Sequence, residues 1–173
     1  MPRCKVCKDK FKVKYFLQKT CLDAACILEW KDRVKAKEWK AEKKQLKNKL
    51  KTNADHVREL QVIFNKFIRL RDKDKGCISC GTPLVGKFDA GHYYSAGGNP
   101  ELRFNIDNIH GQCVYCNQHR HGALLDYTER LPNRIGLCKF AELKRLRGVA
   151  KKYSIPELVE LKVIYKDKTK KLQ

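Results

Sequence analysis

Long apolar runs are what this sequence has least of. None of its 173 residues falls in a stretch of the roughly 18 consecutive apolar side chains that a membrane-spanning helix needs. The N-terminal MPRCKVCKDK has no apolar segment of the signal-peptide kind. Acidic side chains are also scarce. There are 19 Asp and Glu against 39 Lys and Arg, a net charge of +20, and the isoelectric point is near 9.7. That imbalance points to a polyanionic partner and away from a small-molecule substrate or a membrane. The length allows one domain or two small ones, but not a large single core.

The nine cysteines must be read against these absences. Without an export signal they are expected in a reducing, cytoplasmic compartment, and eight of them fall into close pairs. Close pairs suit metal binding better than disulfides there. Cys4-x2-Cys7 with Cys21-x4-Cys26 and Cys77-x2-Cys80 with Cys113-x2-Cys116 therefore predict two structural zinc sites. Residues 1–26 are too few to fold by burial alone, and four thiolates on zinc supply roughly 10–16 kcal/mol. Cys138 is left unpaired and is expected as a small buried apolar residue.

Charge is unevenly spread. It is about +5 over residues 1–26, +6 over 27–52, +2 over 53–76, zero over 77–122 and +7 over 123–173. The neutral stretch holds most of the histidines, and the basic flanks would attract phosphate. Between Ala24 and Lys51 there is no Pro or Gly, which predicts one long helix. Its stripe of Ile27, Trp30, Val34, Trp39, Leu46 and Leu50 is thin, and ten basic side chains in 31–51 face three acidic ones. It is either a solvated spacer or an arm on the DNA backbone; in the second case Lys35, Lys40, Lys44 and Lys47 contact phosphate. Thr52, Asn53 and Asp55 offer a break and a new N-cap. A helix over 55–72 follows, with Val57, Leu60, Phe64, Phe67 and Ile68 at helical spacing. That stripe is either core or the face of a homodimer. After Gly122 the chain reads as helical, with Phe140, Leu143 and Leu146 on one face, a capping box at Ser154–Glu157 and a frayed basic tail over 166–173.

Chemistry concentrates in 77–122. A strand-like run over 87–91 leads to His92, a Gly-rich loop spans Tyr93 to Pro100, and Leu102, Phe104 and Ile106 alternate with polar residues as in a second strand. If 117–121 is helical, Asn117 and His121 share a face and His119 points away. His110 is expected to pack near zinc with no catalytic part.

The pattern His92-x15-Asn108-x8-Asn117-x3-His121, interleaved with the two knuckles, resembles the ββα-metal (His-Asn-His) nuclease motif. FNKFIRLRD, CISCG, DAGHYYSAG and RFNIDNIHGQCVYCNQH, with the N-terminal cysteines, are similar to the lambdoid-phage NinG (Rap) family of recombination endonucleases, over nearly the whole chain. The resemblance implies an α+β protein: a small zinc-bound ββα-metal core flanked by long basic α-helices and an N-terminal Cys4 knuckle. Its parts would be a zinc knuckle (1–26), a helical arm with an amphipathic helix (27–76), the nuclease core (77–122) and basic helices (123–173). It also implies Mg²⁺- or Mn²⁺-dependent cleavage of branched recombination DNA, four-way junctions and D-loops, in a bacterial host cell.

By motif position, His92 matches the general base, Asn108 the residue that orients it, and Asn117 and His121 the metal ligands. Where many members carry a ligand just before the catalytic histidine, this chain has Gly91. Asp89 would replace it through a local bulge, with His119 or Asp107 as alternatives. Arg103 and Arg120 are either phosphate contacts or ordinary surface charge. The rival expectation is a non-catalytic, zinc-containing DNA-binding or recombination scaffold protein.

Overall fold

Cysteines take the place of a core in the N-terminal part of the chain. The computed structural model describes residues 1–173 and divides into two compact units, Met1–Lys51 and Thr52–Gln173. In the first unit, Cys4, Phe11 and Cys26 are buried, with Val6 and Cys21 packed on them and no larger apolar cluster beside them. Helix α1 runs Ala24–Lys49, capped by Asp23, whose side chain accepts from the Cys26 backbone N–H. Only Cys26 is buried along its length, so α1 is held by its first turn, by the Arg33 guanidinium donating to the Lys5 carbonyl at 3.2 Å, and by its own hydrogen bonds.

The second unit begins with α2 (Asn53–Asp72). Thr52 caps it in a reciprocal box with Asp55. Strands β1 (Phe88–His92) and β2 (Ile109–Cys113) pair antiparallel. Helices α3 (Leu124–Ile135), α4 (Leu137–Leu146) and α5 (Ile155–Lys171) follow. The chain is thus α+β, mostly helical with one two-stranded sheet.

Two apolar clusters hold it together. Leu60, Phe64, Phe67 and Ile68 of α2 meet Phe104, Ile109, Leu158 and Tyr165, with the Phe64 and Tyr165 rings edge-on at 4.5 Å. Ile78, Leu102, Tyr127, Leu131, Phe140 and Leu143 form the second. The α2 stripe is therefore consumed by the chain's own core, which removes it as the surface for a dimer. Ser154 and Glu157 form the expected capping box. The tail is not frayed: α5 continues to Lys171 because Tyr165 and Thr169 are buried, and the Thr169 hydroxyl donates to the Tyr165 carbonyl.

Two further expectations fail for local reasons. Leu102 and Phe104 are buried, but not on a strand. Pro100–Leu102 is a 3₁₀ turn, continued by i→i+3 bonds from Asn105 to Leu102 and from Asn108 to Asn105. The second strand starts only at Ile109. Cys138 lies exposed on α4 rather than buried.

Candidate functional site

Each cysteine quartet brings its four sulfurs within 4.8 Å of one another. Cys7 and Cys21 sulfurs are 3.9 Å apart, and those of Cys80 and Cys113 are 3.8 Å apart. An edge of a tetrahedral ZnS₄ site with Zn–S bonds of about 2.3 Å is about 3.8 Å long, whereas a disulfide needs about 2.05 Å. The geometry therefore fits zinc. Backbone N–H groups of Val6, Cys113 and Cys116 point at the sulfurs of Cys4, Cys77 and Cys113. Burial works against ionising Cys4, but backbone N–H groups of Cys21, Val6 and Cys7 hold its thiol down to about 6. At Cys80 burial is likewise outweighed, by hydrogen bonds from Thr82, and the thiol again falls to about 6. Burial and the neighbouring sulfurs push the Cys26 and Cys116 thiols up instead, a crowding that a central cation would relieve, and on their geometry the two Cys4 clusters could hold zinc.

The second quartet anchors the sheet. Cys77 and Cys80 precede β1, Cys113 ends β2, and Cys116 lies on the following turn. Across that frame, β1 carries Asp89 and His92. The half-buried His92 donates through Nε2–H to the Arg103 carbonyl at 3.2 Å, since a carbonyl can only accept. Nδ1 then keeps the lone pair. Burial is the main cause that holds its pKa below 6.5, and the Arg103 charge acts in the same direction. The ring is thus neutral in ordinary buffers.

Asn108, with no exposed surface, clamps the loop that carries Arg103. Its Oδ1 accepts from the Tyr94 N–H at 2.8 Å, and its Nδ2 donates to the Tyr94 and Leu102 carbonyls, each at 3.0 Å. Leu102 adjoins Arg103, so the clamp fixes the carbonyl that fixes His92. His110 lies in β2, buried against Tyr127, and donates from Nδ1 to the tyrosine hydroxyl, which in turn donates to Gly91 O. Burial pushes its pKa down to about 3.

Asp89 and Asn117 come together: Asn117 Nδ2 reaches Asp89 Oδ2 at 2.9 Å. Gln118 Nε2 reaches the same oxygen at 2.7 Å, a partner the sequence reading missed. It arises because Tyr115–His119 is a π-type turn, with the Arg120 N–H bonded to the Tyr115 carbonyl five residues back. That widened turn lets neighbours 117 and 118 share a side. His121 does not join them on a helical face. It sits past the turn in the left-handed region at φ 49°, exposed and without a hydrogen bond. His119 is exposed too, and Asp107 faces Lys139.

No bulge displaces Asp89: the register runs unbroken from Phe88↔Cys113 to His92↔Ile109. Gly91 has a packing reason instead, because a Cβ there would lie 2.0 Å from Gln112 Oε1. Arg103 donates to Ala96 O, and Arg120 pairs with Asp126 at 2.7 Å. Lys35, Lys40, Lys44 and Lys47 are exposed on α1.

One cysteine quartet beside a two-stranded sheet and another in the N-terminal unit, on a strongly basic chain, define a cysteine-stapled α+β protein. The sequence model of the family described as Bacteriophage Lambda NinG protein matches residues 1–173, and the chain belongs to this family. It is 35% identical to Protein ninG of Escherichia phage 933W over 99% of this chain and 93% of that one. It is 41% identical to Protein ninG of Escherichia phage lambda over 72% of this chain and 60% of that one. The figure for Protein ninG of Salmonella phage P22 is also 41%, over 72% and 61%. No solved structure matches, and no helix is long and apolar enough to cross a membrane.

Proposed function

We propose that the chain is a divalent-metal-dependent DNA endonuclease of the His-Asn-His type, hydrolysing phosphodiester bonds in branched recombination intermediates such as four-way junctions and D-loops. The observation that carries the reading is the His92 imidazole. It is held by Nε2–H on a backbone carbonyl, neutral, with Nδ1 left as a base, on the strand that also carries Asp89. A general base near neutrality, oriented by a fixed acceptor, is what water activation requires.

In this reading His92 Nδ1 takes the proton of the attacking water. Asn108 is a positioning residue acting through Leu102 and Arg103. Asp89 and Asn117 would hold Mg²⁺ or Mn²⁺, and His121, exposed beyond the π-type turn, would have to swing inward to be the third member. Hard oxygen donors few in number suit either ion, which keeps water and phosphate in its remaining positions. When bound, such a cation supplies charge for the phosphoryl oxygens and the leaving 3′ oxygen. Asn117 now donates to Asp89, so its amide would have to turn its oxygen inward. Lys35, Lys40, Lys44 and Lys47 would grip the DNA backbone, with Arg103 and Arg120 near the scissile phosphate. The substrate places the protein in the host cytoplasm. Paired nicks in a junction call for two chains, through a surface other than the α2 stripe.

One observation favours the rival, a non-catalytic zinc-containing DNA-binding or scaffold protein. Asp89 is already bonded by two amides, and the only clusters of three or more His, Cys, Asp or Glu ligand atoms are the two quartets. Labelled duplex, single-strand, forked and four-way DNA incubated with Mn²⁺ or Mg²⁺ separates the two. Cation-dependent cuts support the nuclease. Binding without cuts on every substrate leaves the scaffold.

A further inference from the structure

Between the cysteine pairs of the N-terminal unit, the chain turns outward with its apolar side chains on the outside. Phe16 is 89% exposed, Leu17 65% and Tyr15 55%. In a segment with so little core, three consecutive large apolar residues would be expected inside. They are held outside by a built turn. Gln18 is buried; its Oε1 accepts from the Lys14 N–H at 2.8 Å and its Nε2 donates to the Thr20 carbonyl at 2.7 Å. Its own N–H returns to the Tyr15 carbonyl. Leu17 adopts φ 62°, a left-handed conformation that leucine rarely takes, so its surroundings impose the turn. Lys12, Lys14 and Lys19 flank the tip and are exposed.

We propose that the Tyr15–Phe16–Leu17 turn is a wedge that stacks its rings on unpaired bases of a nucleic acid while the flanking lysines hold the adjoining phosphates. Aromatic faces stack on any base, and basic flanks supply the electrostatic grip. The proposal rests on the reading of DNA as the partner, and extends it from phosphate contact to recognition of unpaired bases. Charge argues for that occupant. Residues 1–26 carry seven basic and two acidic side chains, so a second copy would be repelled. An anionic membrane would match the sign as well, and the vesicle arm of the test below separates it from DNA. On α1 of the same unit, Lys and Arg lie round most of the circumference. An exposed Trp39 sits among them, which suits a flexible polyanion better than a plane.

The test uses the full chain, without added divalent cation so that no strand is cut. Phe16→Ala and the double variant Tyr15→Ala/Phe16→Ala are compared with the parent on a four-way junction, a gapped duplex and a blunt duplex of equal length. The substituted side chains are exposed, and unchanged zinc content and circular dichroism verify the fold. The expected result is about ten-fold weaker binding on the junction and the gapped duplex, with blunt-duplex affinity held within about two-fold. Equal losses on all three DNAs, or no loss on any, overturn the wedge. So does selective loss of binding to phosphatidylserine vesicles with DNA affinity intact, which would make the turn a membrane device. Cleavage is scored separately on the parent with Mn²⁺. A chain that never cuts but shows the selective loss keeps the wedge and defeats the nuclease; one that cuts without it loses only the wedge.

Discussion

Removing the Asn108 side chain should unhook His92 without touching it. Asn108→Ala deletes three hydrogen bonds of 2.8–3.0 Å from a fully buried site. Each is worth about 1 kcal/mol net, and the buried Leu102 carbonyl is left without that partner, so the total cost is about 3–4 kcal/mol. For a unit of this size that lowers the melting temperature by about 12–16 °C. The loop carrying Arg103 then loosens, and its carbonyl no longer fixes the imidazole. Because burial is the main force holding the His92 pKa below 6.5, opening the loop should raise that pKa toward the ordinary value. Thermal unfolding and an NMR titration of the His92 ring protons read the two effects on one sample. Asn108→Asp should be at least as damaging, since it sets a carboxylate against the Tyr94 and Leu102 carbonyls. A destabilised Asn108→Ala protein whose His92 titrates unchanged would break the inferred link from clamp to base.

Elemental analysis of protein purified without chelator should find two zinc ions per chain. Cys80→Ser or Cys113→Ser should lose one of them and unfold the second unit, whereas Cys138→Ser, at an exposed position, should change little; one zinc or none in the parent refutes the site count. Neutralising Lys35, Lys40, Lys44 and Lys47 should flatten the log–log salt dependence of DNA binding by up to about 3–4 units, and an unchanged slope makes α1 a spacer. His110 has its folded pKa depressed to about 3, so the unfolded chain binds the extra proton first. Its contribution to stability is therefore present above about pH 6.5 and is lost progressively as pH falls toward 3. Denaturant melts between pH 7 and pH 4 should show that slope reduced in His110→Phe.

Features set by local chemistry were legible in the sequence. Thr52 with Asp55 and Ser154 with Glu157 form their capping boxes where the spacing puts them. The spacing within each cysteine pair is local and marked the ligands, and the pairs, up to 33 residues apart as at Cys80 and Cys113, close into two quartets. What depended on the path of the backbone was not legible. The alternation at Leu102 and Phe104 reports burial only. A 3₁₀ turn started by Pro100 and tied down by Asn108 satisfies it without a strand. The grouping of Asn117 and His121 assumed regular α-helical spacing, and a π-type turn replaced it, bringing in Gln118 and sending His121 outward. The α2 stripe carried no mark of whether its partner was another copy or α5. The exposed turn at Tyr15–Leu17 was hidden because Gln18, a polar residue, is the one that goes inside.

The proposed role of His92 Nδ1 is to activate water for strand scission. Its most direct test is the single-turnover cleavage rate of parent and His92→Ala protein on a labelled four-way junction with saturating Mn²⁺, alongside the binding affinity of each. A general base contributes about 10²–10⁴-fold to the rate and little to ground-state binding. A rate loss of that order is expected, with DNA affinity preserved within a few-fold. A His92→Ala protein that cuts at the parental rate, or a parent that binds and never cuts, would contradict it.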